Sequence, residues 1–163
     1  MFPREASSIL LIGFPALAAL LISLVMAGHR FAAQRLGVSA STTRRRTVLF
    51  LAAVLASQAT VTGLAVAGVL SRFDTRPPPL LLLVVFVAAS AQLLARSVIG
   101  RTVQDGLPLA ALVGFHAFRF PLELLMHRAA TEGVMPPQMT FTGWNFDIVT
   151  GGSAIVVAAL VAL

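Results

Sequence analysis

The chain has 163 residues, of which 58% are hydrophobic and only 11% charged. A soluble domain carries nearer a quarter of charged residues. With a mean hydropathy of +0.91, polar side chains are too few to cover a water-soluble globule. The composition reads as an all-α, polytopic transmembrane helix bundle. At about 20 residues per span, the chain has room for four or five spans with short loops, forming a single bundle domain over 1–163.

All 12 basic residues are arginine, and the net charge is +6. They sit between apolar runs, with no basic face and few aromatics beside them, which speaks against nucleic acid as a partner. The lipid bilayer is the expected partner, with arginine setting orientation and meeting anionic headgroups. The lack of cysteine excludes disulfides, thiolate metal sites and a cysteine nucleophile.

In chain order the expected spans are 9–28, 47–70, 78–99, 107–128 and 144–163. The first apolar run, Ile9 to Gly28, is longer than a signal-peptide core and follows an n-region, 1–5, in which Glu5 cancels Arg4. It reads as a retained span rather than a cleaved leader. A basic loop, His29 to Arg46, follows, with a polar turn at Ser39 to Thr43 and the run Arg44-Arg45-Arg46. Inside-facing arginines then number seven (30, 35, 44, 45, 46, 96, 101), against four outside (4, 72, 76, 128). That excess predicts an external N-terminus and an internal C-terminus.

The second span carries small residues at Ala52, Ala56, Thr60, Gly63 and Ala67, and the third at Ala88, Ala91 and Ala95. Such stripes permit close helix approach, to a partner membrane protein or a second copy as well as within the bundle. Gln58 and Gln92 are expected to bond between helices. Pro15 and Pro121 fall inside spans and should bend them. The last span is apolar up to Leu163 without a basic anchor, which fits either a flush end or a fragment of a larger bundle.

The fourth span concentrates the chemistry. His116, Arg119, Glu123 and His127 are spaced 3, 4 and 4, one stripe of a helix about 80° wide. Ionisable groups at membrane depth face a bundle interior or a cavity and mark a site. Arg119 and Glu123 can pair within one turn, as a structural clip on a Pro121-kinked helix or as part of a proton or ion relay. The two histidines are about 16 Å apart along a helix, so they cannot share one metal. Glu123, His127 and Asp147 make at best an incomplete ligand set, and no metal or haem cofactor is assigned. The following stretch, Ala129 to Gly143, is apolar for a loop and suits a segment folded over the mouth of the bundle. Trp144 marks an interface. Asn145 and Asp147 can cap the fifth span and join the same polar pocket.

The segments Phe118-Arg119-Phe120-Pro121-Leu122-Glu123 and Gly143-Trp144-Asn145-Phe146-Asp147-Ile148 resemble a pattern found in uncharacterised bacterial multi-pass membrane proteins. The resemblance covers about residues 115 to 152 and implies a bacterial membrane setting without an activity. Three function classes remain. One is a site of His116, Arg119, Glu123, His127, Asn145 and Asp147 that binds or moves a small solute, proton or ion. Another is a non-catalytic subunit or scaffold. The third is an intramembrane enzyme, for which the sequence offers no complete catalytic set.

Overall fold

A computed structural model describes residues 6–163. The n-region with Arg4 and Glu5 lies outside the described residues. Every regular element among them is helical: α1 (Ser8–Arg35), α2 (Ala40–Val66), α3 (Pro79–Arg96), α4 (Val98–Gly106), α5 (Leu109–Phe115), α6 (Arg119–Thr131) and α7 (Asp147–Ala162), with single 3₁₀ turns at His116–Phe118 and Pro137–Met139. Four stretches, Ser8–Arg35, Ala40–Val66, Pro79–Arg96 and Leu109–Thr131, are long and apolar enough to cross a membrane by length and composition.

Several expected boundaries move, each for a local reason. The second span begins at Ala40 rather than 47, because the Ser39 hydroxyl accepts from the Thr42 amide at 3.4 Å and caps the helix. The expected polar turn and the three successive arginines therefore lie on the first turns of α2. The third span stops at Arg96 rather than 99. Ser97 leaves the helix in an extended conformation, and its hydroxyl accepts from Gly100 N at 3.2 Å to start α4. A Cβ on Gly100 would lie 2.3 Å from the Leu94 carbonyl oxygen, so only glycine permits this turn. The expected loop after it is thus mostly helix. The fifth apolar segment begins at Asp147, not 144, and its 16 residues reach about 24 Å, short of the ~30 Å hydrocarbon core.

The chain divides into two compact units, 26–106 and the combination of 1–25 with 107–163. In the first, small residues make the closest contacts. Ala32 and Ala33 are buried, and Gly106 packs so tightly on Ala32 that a Cβ would lie 2.6 Å from the alanine methyl. Arg35 donates to the Gly106 carbonyl at 3.4 Å. His29 is buried with Nδ1 3.2 Å from the Thr47 hydroxyl. That hydroxyl donates to Thr43 O, so the imidazole must be the donor. Beyond Thr47 nothing on α2 is buried, and nothing at all on α3. Gln58 and Gln92 are exposed instead of bonded between helices, and the small-residue stripes stand uncovered.

In the second unit, α7 packs along α5, the 3₁₀ turn and α6. Gly151 sets the approach: a Cβ there would sit 2.5 Å from Phe120 N and 3.1 Å from the Arg119 carbonyl carbon, both backbone. The start of α1 runs antiparallel to α6. Ser7 N donates to Glu132 at 2.9 Å, and Gly13 meets the Leu125 side chain.

Backbone cannot yield as a side chain does, so Gly151→Ala should cost about 1–3 kcal/mol by overpacking. Gly152→Ala, with open space around its Cβ, should be neutral or slightly stabilising. Thermal unfolding of the two variants in detergent checks this.

Beyond the end of α6, the Ser7 hydroxyl and amide hold Glu132 below the usual glutamate range, with the Arg128 guanidinium at 2.5 Å adding to the effect and desolvation opposing it. The hydroxyl lies close without completing a hydrogen bond of its own. A depressed folded pKa contributes stability that is present above the unfolded value and lost as pH falls through the folded one. The tie between Ser7 and Glu132 should therefore persist through mildly acidic pH and release below the ordinary glutamate range. Carbon-detected NMR titration of Glu132 should give a midpoint below that of Glu132 in the unfolded chain.

Candidate functional site

The polar stripe of the fourth span sits on a broken helix. Pro121 has no N–H to offer Ala117, and its ring crowds that carbonyl. The chain tightens to 3₁₀ over His116–Phe118 and restarts as α6 at Arg119, which leaves Pro121 in the first turn where a missing donor costs little. The expected bend at Pro121 is thus a change of helix type just before it. A 3₁₀ stretch advances 120° per residue rather than 100°, so His116 lies almost directly in line with Arg119 and stays on the same face.

His116 is nonetheless apart from the rest, because the segment that covers the other three ends at Arg119 and His116 meets the side of α7 instead. It is exposed and lines an open groove of about 340 Å³ with Leu112, Val113, Thr150, Ser153, Ala154 and Val157. Ser153 donates to the Thr150 carbonyl at 3.1 Å within α7, a local helix bond rather than part of a nucleophilic set.

Arg119, Glu123 and His127 remain aligned along α6, and the chain after Thr131 folds back over them. Gly133, at φ +73°, ends α6, its amide bonding to Ala130 O and that of Val134 to Ala129 O. The returning segment then descends the length of α6, about 18 Å, before α7 begins. It covers the stripe in reverse order. Phe141 stacks on His127 with ring centroids 4.7 Å apart, the Asn145 amide donates to Glu123 Oε1, and Asp147 Oδ2 pairs with Arg119 Nη1 at 2.6 Å.

Arg119 therefore pairs between helices with Asp147, not with Glu123 within α6. Side chains on a helix lean toward its N-terminus, which carries the Arg119 guanidinium away from Glu123 and toward the start of α7. Arg-before-Glu is also the weaker i,i+4 order. Asp147 gains from the first-turn dipole of α7 as well. Asp147 thus meets Arg119, and Arg128 is held by Glu132.

Asn145 joins the parts. Its amide nitrogen also donates to Met139 O at 3.2 Å, and its oxygen accepts from Asp147 N at 3.2 Å. One side chain thus links α6, the returning segment and the first turn of α7. Thr140, fully buried, was not marked by the sequence. Its hydroxyl donates to Pro137 O at 2.9 Å, and its carbonyl accepts from Gly143 and Asn145. Gly143 has no room for a side chain, since a Cβ would stand 2.5 Å from Gln138 Cα. The Gly-Pro-Thr content of this loop was the available signal.

Glu123 is 0% exposed. Its Oε2, together with Arg119 Nε and His127 Nδ1, is buried without a hydrogen-bond partner among the described residues. Three successive members of one stripe thus each present an unused polar atom beneath the returning segment. The set holds donors and an acceptor together, which suits a proton, a small cation or a small polar solute better than an apolar one. Among the described residues no group of three histidine and carboxylate side chains could hold a metal ion. The crevice of about 400 Å³ between α2 and α3 is apolar, with Ser57 and Thr60 supplying its hydroxyls, and holds nothing titratable.

No family model, curated protein or solved structure matches this chain. The class is therefore defined by composition and architecture alone: an all-helical protein with four helices able to cross a membrane by length and composition.

Asn145→Ala removes a bond to a buried carboxylate and two backbone contacts, and should cost about 1.5–3 kcal/mol. Hydrogen–deuterium exchange should show the loss first at 138–145, with α5 and the C-terminal half of α7 unaffected.

Proposed function

We propose that the chain is a bacterial inner-membrane protein, oriented with its N-terminus outside, that binds and moves a proton or another small ion or solute through the site of Arg119, Glu123, His127, Asn145 and Asp147. The observation that carries this reading is the state of Glu123: fully enclosed, bonded through one oxygen to a neutral amide, its other oxygen unpartnered, and the adjacent arginine committed to Asp147. A carboxylate enclosed without a basic partner is a binding position for a proton or small cation, and such groups inside membrane segments are costly enough to mark function.

Depth supports the same reading. With Gly13 beside Leu125 and α1 antiparallel to α6, Arg119 lies about 15 Å from Ile9 along the first apolar run, half the thickness of the hydrocarbon core. Orientation rests on the arginine excess on the side of the α1–α2 turn. The Arg-x-Pro-x-Glu and Asn-Phe-Asp-Ile resemblance supports the bacterial setting. In the scheme, Glu123 carries the ion, His127 exchanges protons with it one turn outward, and the Arg119–Asp147 pair closes the inner end.

The test is flux through reconstituted proteoliposomes loaded with a pH-sensitive dye under an imposed potential. Glu123→Gln, nearly isosteric, should lower proton flux more than tenfold while leaving thermal unfolding unchanged. Wild-type vesicles no leakier than empty ones, or parallel loss of fold and flux in the variant, would overturn the reading.

A second reading draws on a different observation. The uncovered lengths of α2 and α3, with Leu55, Leu81, Val85 and Phe86 more than half exposed, suit a non-catalytic subunit that packs against a partner helix or a second copy. Native mass spectrometry giving a lone monomer at all protein concentrations would remove it.

A further inference from the structure

The turn joining α1 to α2 forms an open-mouthed cavity that the ion site does not use. Its volume is about 330 Å³, and Arg30, Gln34, Val38, Ala40, Thr43 and Arg44 line it. No acidic residue contributes to its wall. The ion pairs among the described residues engage Arg119 and Arg128, leaving both Arg30 and Arg44 without a carboxylate within reach. Thr43, buried and bonded to Ser39 O at 3.0 Å, forms a rigid floor, and the Gln34 amide adds neutral donors.

We propose that this cavity binds a phosphate group, gripped between the guanidinium groups of Arg30 and Arg44. Two planar guanidiniums present paired N–H donors matched to phosphate oxygens, a geometry that a single point charge does not offer. Ala40, at the first turn of the 27-residue α2, adds a favourable dipole end. The cavity has space for more than a phosphate group alone. Val38 and Ala40 give part of its wall an apolar surface, as the first acyl carbons of a phospholipid require. Position points the same way: Arg30 follows two residues after Gly28, where the first apolar run ends and where the phosphates of a bilayer leaflet lie. A phospholipid phosphate and a free phosphate share this chemistry, and the experiment separates them.

The intact protein is incorporated into nanodiscs of phosphatidylcholine containing a fraction of phosphatidylglycerol, and lipid retained after release is read by native mass spectrometry. Arg30→Gln with Arg44→Gln should lower phosphatidylglycerol retention about tenfold and leave phosphatidylcholine retention unchanged. Arg72→Gln with Arg76→Gln, the same charge loss away from the cavity, should retain phosphatidylglycerol as the wild type does. Equal loss in both double variants, or no loss in the first, overturns the proposal. Millimolar inorganic phosphate that saturates the wild type and not the first variant, with no selective lipid retention, assigns the cavity to free phosphate. Arg30→Lys with Arg44→Lys keeps the charge and removes the paired donors, so a weakened response there separates the proposed grip from general attraction. It also serves if the glutamine variant fails to fold.

Discussion

The cost of enclosing Glu123 governs the second unit. A buried carboxylate needs donors, and α6 alone cannot supply them, because its own amides are spent on the helix and Arg119 leans the other way. The chain answers by returning over its own helix, placing Asn145 against Glu123, Asp147 against Arg119 and Phe141 against His127. The position of α7 follows from that return. Its first residue is fixed by Arg119, and its close approach by Gly151 against the Phe120 backbone. Electrostatic pairing sets the register along the helix, and the missing side chain sets the distance.

Much of this was legible in the residues themselves. Apolar runs of span length gave the all-helical membrane architecture, and the 3- and 4-residue spacing placed Arg119, Glu123 and His127 on one face. Asn145 and Asp147 were marked by their position at the start of an apolar run. What could not be read was pairing. The i,i+4 rule joins Arg119 to Glu123 equally well on paper, and only the folded-back segment, whose path depends on contacts distant in sequence, makes Asp147 the nearer partner. His116 shows a subtler loss: it shares the face, but the covering segment ends at Arg119, and residue spacing says nothing of where that cover stops. The boundary shifts at Ser39 and Ser97 have local causes, a cap and a glycine-permitted turn, which hydropathy alone does not weigh.

The two units also differ in how they use small residues. In the first, Ala32, Ala33 and Gly106 form tight backbone contacts, whereas the longer stripes on α2 and α3 stay exposed. In water such surfaces would be a liability. Beside lipid tails they carry no penalty, since the tails are as apolar as the side chains they meet.

The level at which α7 starts has an electrical consequence. On the proposed placement, Glu123 lies about 9 Å inside the outer boundary of the insulating layer, so an ion that reaches it from outside has crossed about a third of the voltage drop. Each unit charge then gains or loses about 0.7 kcal/mol per 100 mV on arrival, which makes occupancy itself responsive to the membrane potential, with no moving helix needed to sense it.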